Sequence, residues 1–294
     1  MKKYDVKLTK EGFYQITNLP DIEELKKYYA EKYWQEVTGF NSELSETENY
    51  YIENTVALKG FVVDKFLSSG LNRLLDLGTG EGHTLKHFSD RNYEVTGLDF
   101  SNYGVKKHHP DLLSKVITGD VNESLDDLHS QGRKFSLVVL DNILEHVLDP
   151  VSLINKIKNV LYDNDSAVLV RVPNDFTFIQ SFLKENKIVD KEYWLAPPDH
   201  LNYFNSTNLA FFFKNLGFTM KVMYSDWPIE LDLLNPNTNY VNNKALGKES
   251  HIARMITENI IANSSMEDAL NFYVAAAKIG LGRTITGLFQ SKKD

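Results

Sequence analysis

Three glycines at alternate positions follow an acid at the end of an apolar run, in Leu74-Leu75-Asp76-Leu77-Gly78-Thr79-Gly80-Glu81-Gly82. Such a loop lets the backbone approach a ligand closely, and the helix that follows aims unpaired N–H groups at it. Asp99 closes the next apolar run, Val95-Thr96-Gly97-Leu98. It stands about twenty residues on, where an acid reaches the ribose diol in a nucleotide-binding βαβ unit. A dinucleotide fingerprint needs glycine at positions one, three and six, and the sixth position here is His83. A P-loop is excluded because no Gly-Lys-Ser/Thr follows. The alternative is a glycine turn that holds no ligand.

These residues need a scaffold, and the chain supplies one in its rhythm. Apolar runs over 73–77, 94–99, 115–118, 135–140 and 167–172 read as strands. Helical stretches over 82–89, from Ser101, over 123–130 and over 151–162 separate them, the last opened by Pro150. A helix over 53–68 precedes the first strand. A helix over 206–216, with Gly217 as its C-cap, precedes strands over 218–224 and 281–290. This predicts an α/β fold, a doubly wound, mostly parallel seven-stranded sheet of Rossmann-like form. The final strand is expected antiparallel, beside 218–224. Candidate ligand residues then gather at the carboxyl ends of the strands, where open α/β sheets bind.

Residues 1–50 read as an N-terminal helical cap, its helix over 21–35 carrying Tyr28, Tyr29, Tyr33 and Trp34 as a core face or a cover for the ligand. The nucleotide-binding core spans 51–228, with an aromatic segment over 174–205 expected to form an acceptor pocket. Residues 229–280 read as a helical insertion, either lid or dimer interface, and 281–294 as the final strand.

The absence of cysteine removes disulfides, thiolate zinc sites, Fe–S clusters and thiol nucleophiles. Asp and Glu number 40 against 32 Lys and Arg, for a formal charge of −8, which argues against a nucleic-acid groove. No apolar run approaches membrane-spanning length and no signal-peptide pattern opens the chain, so the expected location is cytoplasmic.

The acid-then-glycines loop resembles the first motif of the class I S-adenosylmethionine-dependent methyltransferases. The resemblance covers roughly 56–290 and implies that S-adenosylmethionine is the cofactor. It implies that Asp76, Gly78, Thr79 and Gly80 hold its methionine end, that Asp99 holds the ribose hydroxyls, and that Phe100 lies against the adenine. Asp120 would bond the adenine amino group, with Val121 giving a backbone contact. Asp141 and Asn142 would close the pocket after the fourth strand. Acids such as Asp76 and Asp141 suit a cationic sulfonium and ammonium.

Asp141-Asn142-Ile143-Leu144-Glu145-His146-Val147-Leu148-Asp149-Pro150 resembles the Glu-His-Val-x-Asp-Pro segment of the ubiquinone-biosynthesis O-methyltransferases. In some relatives a Glu-x-x-Glu-His form binds a divalent metal. Asn142 replaces the first acid here, which leaves Glu145, His146 and His200 as metal candidates. Pro198-Asp199-His200-Leu201-Asn202-Tyr203-Phe204 resembles a further element that would bring His200 to face His146. A base such as His146 or His200, with Glu145 beside them, would take a proton from a hydroxyl acceptor. A pocket wall for the Glu-His pair, and a helix-capping role for His200, are the alternatives.

Asp226-Trp227-Pro228-Ile229-Glu230, Asn239-Tyr240-Val241 and Gly280-Leu281-Gly282-Arg283 look like methyltransferases of surface-polysaccharide biosynthesis. The implied reaction is methyl transfer to a hydroxyl of a sugar or sugar-linked glycan precursor. A phenolic, quinone or amine acceptor is the alternative, as is an inactive cofactor-binding partner subunit. A homodimer is possible in each case.

Overall fold

The computed structural model describes residues 5–21, 23–25, 44–67 and 71–292. A small antiparallel sheet joins β1 (Val6–Leu8), β2 (Tyr14–Ile16) and the short β8 (Asn202–Tyr203). The main sheet contains β3 (Arg73–Leu77), β4 (Glu94–Asp99), β5 (Val116–Thr118), β6 (Leu137–Asp141), β7 (Ala167–Pro173), β9 (Phe218–Ser225) and β10 (Thr284–Ser291). Its order is β5-β4-β3-β6-β7-β10-β9. Pairing is parallel from β5 to β7, and β10 runs antiparallel to both of its neighbours. The expected sheet is therefore present. The last strand not only lies beside β9 but is inserted between β9 and β7.

Alternation along the strands divides the core into two layers. Leu75, Leu77, Val138, Leu140, Val168 and Val170 face one side. They pack on α4 (Val121–Ser130), α5 (Pro150–Val160) and α7 (Ser206–Asn215), the last following α6 (Phe178–Glu185) in the chain. Leu74, Leu137, Val139 and Leu169 face the other, with α1 (Glu46–Phe66) and α2 (His83–Asp90). Both faces are covered, which is why these strands are nearly continuous in apolar residues. Truncating any one of these leucines to alanine costs about 2–5 kcal/mol.

Helix starts are set by local chemistry. Ser45 and Glu48 form a capping box, so α1 begins earlier than its apolar pattern alone predicts. Asp149 caps α5 by accepting from the Ser152 N–H at 2.9 Å, with Pro150 in the first turn. The short α3 (Tyr103–His108) starts just after Ser101, whose hydroxyl accepts from the Tyr103 N–H at 3.2 Å.

Two expectations are corrected. The helical cap over 1–50 gives way, over 6–16, to a β-hairpin, because Gly12 at φ +92° turns the chain and β8 supplies an edge to pair with. Tyr28, Tyr29, Tyr33 and Trp34 lie outside the described residues. The stretch 229–280 is not wholly a separable insertion. It opens with 3₁₀ turns at Ile229–Leu234 and Lys244–Leu246, then forms α8 (Gly247–Ala262) and α9 (Met266–Lys278). Ala269, Leu270 and Tyr273 of α9 are buried in the sheet's second layer, so this helix belongs to the core. Among the described residues no helix is long and apolar enough to cross a membrane.

Candidate active site

The glycine loop leaves β3 in a conformation that side chains resist. Gly78 and Gly80 adopt φ of +71° and +56°, and a Cβ on Gly78 would fall 2.1 Å from the Ile143 Cδ1. Asp99, at the end of β4, ties the loop down. One oxygen accepts from the Gly80 N–H at 2.8 Å and the other from the Ser101 N–H at 3.0 Å. Each retains lone-pair capacity for a hydroxyl donor. Phe100, next to it, is 67% exposed and presents an uncovered ring. Thr79 is buried, its hydroxyl 3.3 Å from the Asp76 carbonyl. This cradle, an acid beside a bare aromatic face and an open glycine turn, fits an adenosyl group.

Asp120 is the N-cap of α4, with Oδ1 accepting from Asn122 at 2.8 Å and Glu123 at 3.1 Å. The adenine contact implied by the resemblance is thus left to Oδ2. Val121 is the first residue of that helix and half-buried. Asn142 turns the chain after β6 at φ +54°, where asparagine is tolerated, and its N–H bonds the Arg171 carbonyl at 2.9 Å.

Around Asp76 and Asp141 stand charges that residue spacing does not anticipate. Lys59, 3% exposed on α1, forms a close ion pair with Asp141 Oδ2 and lies 3.4 Å from the Thr84 hydroxyl. Arg171 of β7 lies 3.8 Å from Asp141 Oδ1 and 3.7 Å from Asp226. Asp141 is therefore not an unpaired acid. Burial alone would raise its carboxyl, but Lys59 and then Arg171 outweigh burial and hold it below its ordinary range. Asp76 is 2% exposed, and burial, with Asp141 and Asp99 adding, pushes it up to about 8 against the pull of Lys59. The only signal for Lys59 is a lone cation inside the apolar stretch Val56-Ala57-Leu58-Lys59-Gly60-Phe61-Val62. A buried lysine needs a partner, which helical periodicity alone does not name.

Glu145, His146 and His200 come together. The backbone N–H groups of Leu201 and Asn202 donate to the Glu145 carbonyl at 2.8 and 3.0 Å. The Asn202 amide donates to the carbonyls of Leu144 and Val147 at 3.0 and 2.7 Å, and accepts from the Gln15 amide at 2.8 Å. The hairpin thus positions the segment that carries His200. The two imidazoles meet edge to face, with centroids 5.0 Å apart. His146 Nδ1 lies 2.8 Å from the Asp199 carbonyl. A carbonyl only accepts, so Nδ1 carries the proton and Nε2 the lone pair when the ring is neutral. That Nε2 is 3.8 Å from Glu145 Oε1. Glu145 Oε2 and His200 Nδ1 are buried without a hydrogen-bond partner.

Burial raises the Glu145 carboxyl well above its usual range and lowers His146. Burial, then the neighbouring His146, brings His200 down to about 4. At neutral pH both rings are uncharged, so each offers a lone pair. The same three residues present ligand atoms within 4.8 Å of one another. Ile143 links the two halves of the site, since it lies against the glycine loop close in sequence to His146.

A family model described as "Methyltransferase domain" matches residues 29–221, more than half of the 294-residue chain. No curated protein matches the chain. A SAM-dependent methyltransferase from Archaeoglobus fulgidus is 20% identical, covering 82% of this chain and 94% of that one at a TM-score of 0.50. The plantazolicin methyltransferase BamL, solved with a triazolic desmethylPZN analog and SAH, is 14% identical, covering 92% and 95% at a TM-score of 0.51. At these identities the structures establish the fold alone. The sheet order, the acid-flanked glycine loop and the family match converge, and the chain belongs to the methyltransferase domain family, in the class I S-adenosylmethionine-dependent form.

Proposed function

We propose that this protein transfers the methyl group of S-adenosylmethionine to a hydroxyl of a sugar or sugar-linked metabolite. The observation that carries this reading is the half-buried, uncharged His146–His200 pair at the end of the sheet that also bears the glycine loop. Amines and hydroxyls differ in what they ask of a site: a hydroxyl must lose a proton as it attacks. His146 Nε2 is suited to accept that proton, a contribution of typically about 10²–10⁴ in rate. The cofactor, when bound, supplies an electrophilic methyl carbon on a sulfonium. Asp99 and the glycine loop hold its ribose, Phe100 faces its adenine, and Asp76 and Asp141 face its cationic end. Alignment within a water-poor pocket does the rest. BamL was solved with SAH, which accords with the cofactor.

The test is transfer from methyl-labelled S-adenosylmethionine to a panel of sugars, phenols and amines. Label recovered as an ether on a sugar supports the proposal; label recovered only on nitrogen or on a phenol overturns it. A second reading has its own observation, the convergent ligand atoms of Glu145, His146 and His200. Two imidazoles and a carboxylate suit manganese, iron or zinc better than magnesium. Activity lost to EDTA and restored by one of these ions favours that reading, and indifference to EDTA favours the histidine base.

A further inference from the structure

A cavity of about 510 Å³ opens between the segment after β7 and the first half of the 229–280 stretch. Its size suits a small ligand. Lys191, Tyr193, Tyr240, Lys244 and Arg283 line it, with Glu192 the acid among the lining residues. Three cations around one cavity are notable in a chain of net charge −8. The walls are tied together rather than merely adjacent. The Asn239 amide donates to the carbonyls of Ile188 and Leu233, both at 3.0 Å, and the Asn242 amide donates to Ile188 at 2.9 Å. Ile179, Leu183, Val189, Leu233 and Val241 form a small apolar core that joins the same segments.

One polar group of the lining lacks a partner. The Tyr193 hydroxyl is buried without a hydrogen bond. Glu230 is 1% exposed and stands outside the lining. Glu230 lies within electrostatic reach of Tyr193, Tyr240 and Arg283. A buried hydroxyl such as that of Tyr193 costs about 1–3 kcal/mol when left unpaired, and a hydroxyl of a ligand would satisfy it. Arg283 marks the way to the histidines. It pairs with Asp175 at 3.1 Å, the Asp175 N–H bonds the Phe204 carbonyl at 2.6 Å, and Arg283 acts electrostatically on His200.

We infer that this cavity is the acceptor site, and that it selects a hydroxylated molecule bearing an anionic group seated on Lys191 and Lys244. The inference rests on the hydroxyl-transfer reading above and names the acceptor's class. The hydroxylated body lies between Tyr193 and Tyr240, and the reacting end points past Arg283 toward His200. Phosphate and carboxylate share the required chemistry.

Calorimetry with SAH present separates the cases, using glucose 6-phosphate, glucuronate and uncharged methyl glucoside as probes. The wild type is compared with a Lys191→Ala/Lys244→Ala double variant, which changes only exposed side chains. At least one anionic probe is expected to bind about tenfold tighter than methyl glucoside. The double variant should lose that preference and keep its affinity for SAH. The stronger anionic probe identifies phosphate or carboxylate as the group. Equal binding of charged and neutral probes, no binding of any probe at about 10 mM, or an undiminished preference in the variant overturns the inference. In the wild type, methyl transfer to methyl glucoside as fast as to either anionic probe also overturns it, while leaving hydroxyl transfer intact. Anion preference with label recovered on nitrogen leaves the cavity standing and overturns hydroxyl transfer.

Discussion

The imidazoles of His146 and His200 meet edge to face at 5.0 Å although one follows β6 and the other precedes β8. If this pair removes the acceptor proton, replacing the base by glutamine should cut turnover about a hundredfold or more. SAH affinity should stay unchanged in His146→Gln and His200→Gln. Parental turnover in both variants would leave positioning alone to explain the rate.

The acid side of the pH profile should be displaced. His200 is brought down to about 4, so its ring remains a base well below the ordinary histidine value of about 6.5. Burial lowers His146, the proposed base, as well, so turnover is expected to hold level to a pH below the ordinary histidine value of about 6.5. Stability carries the same sign. The unfolded chain takes up a proton near 6.5 and the folded chain only near 4, so the folded state binds fewer protons between them. His200 thus contributes fully above 6.5 and its contribution declines as pH falls toward 4. Thermal unfolding followed across this window should flatten in His200→Gln.

Asp76 couples cofactor binding to protons. Its carboxyl, pushed up to about 8, is largely protonated at neutral pH, whereas a cationic ligand favours the carboxylate. Binding of S-adenosylmethionine should release protons below pH 8 and tighten as pH rises toward it. Calorimetry in buffers of different ionisation enthalpy measures the release, and Asp76→Asn should abolish it. The same apparent enthalpy in every buffer would contradict the coupling.

Asp99 is expected to contribute twice, by accepting from the Gly80 N–H at 2.8 Å and by receiving the ribose hydroxyls. Asp99→Ala should weaken S-adenosylhomocysteine binding by about 2–4 kcal/mol. NAD should not bind to either protein. An unchanged affinity in the variant, or tight NAD binding, would count against the nucleotide assignment.

Asn202 is fully buried and joins Leu144, Val147 and Gln15. Asn202→Ala leaves two carbonyls without their donor and should cost about 2–3 kcal/mol in denaturant unfolding. Turnover should fall further than stability does, because His200 loses its register against His146. Cofactor affinity is the control and should hold.

Local signals were enough for the strands and helices that frame the glycine loop. Strands over 73–77 and 94–99 and the helix opened by Pro150 are found where apolar period and punctuation place them. The reason is that periodicity, glycine conformation and proline are properties of a few adjacent residues. Long-range closure decided the rest. The pairing of β2 with β8 placed a hairpin over 6–16, ahead of the expected helix, since a three-residue strand is recognisable only once an edge meets it. The insertion of β10 between β7 and β9 depends on the whole sheet, as does the burial of α9 against it. Lys59 found Asp141 because folding removed both from water, and a buried cation must be neutralised by whichever acid the tertiary structure brings near. Residue types and spacing thus determined the sheet and its glycine loop. Only the folded chain decided which charges, which histidines and which cavity stand beside it.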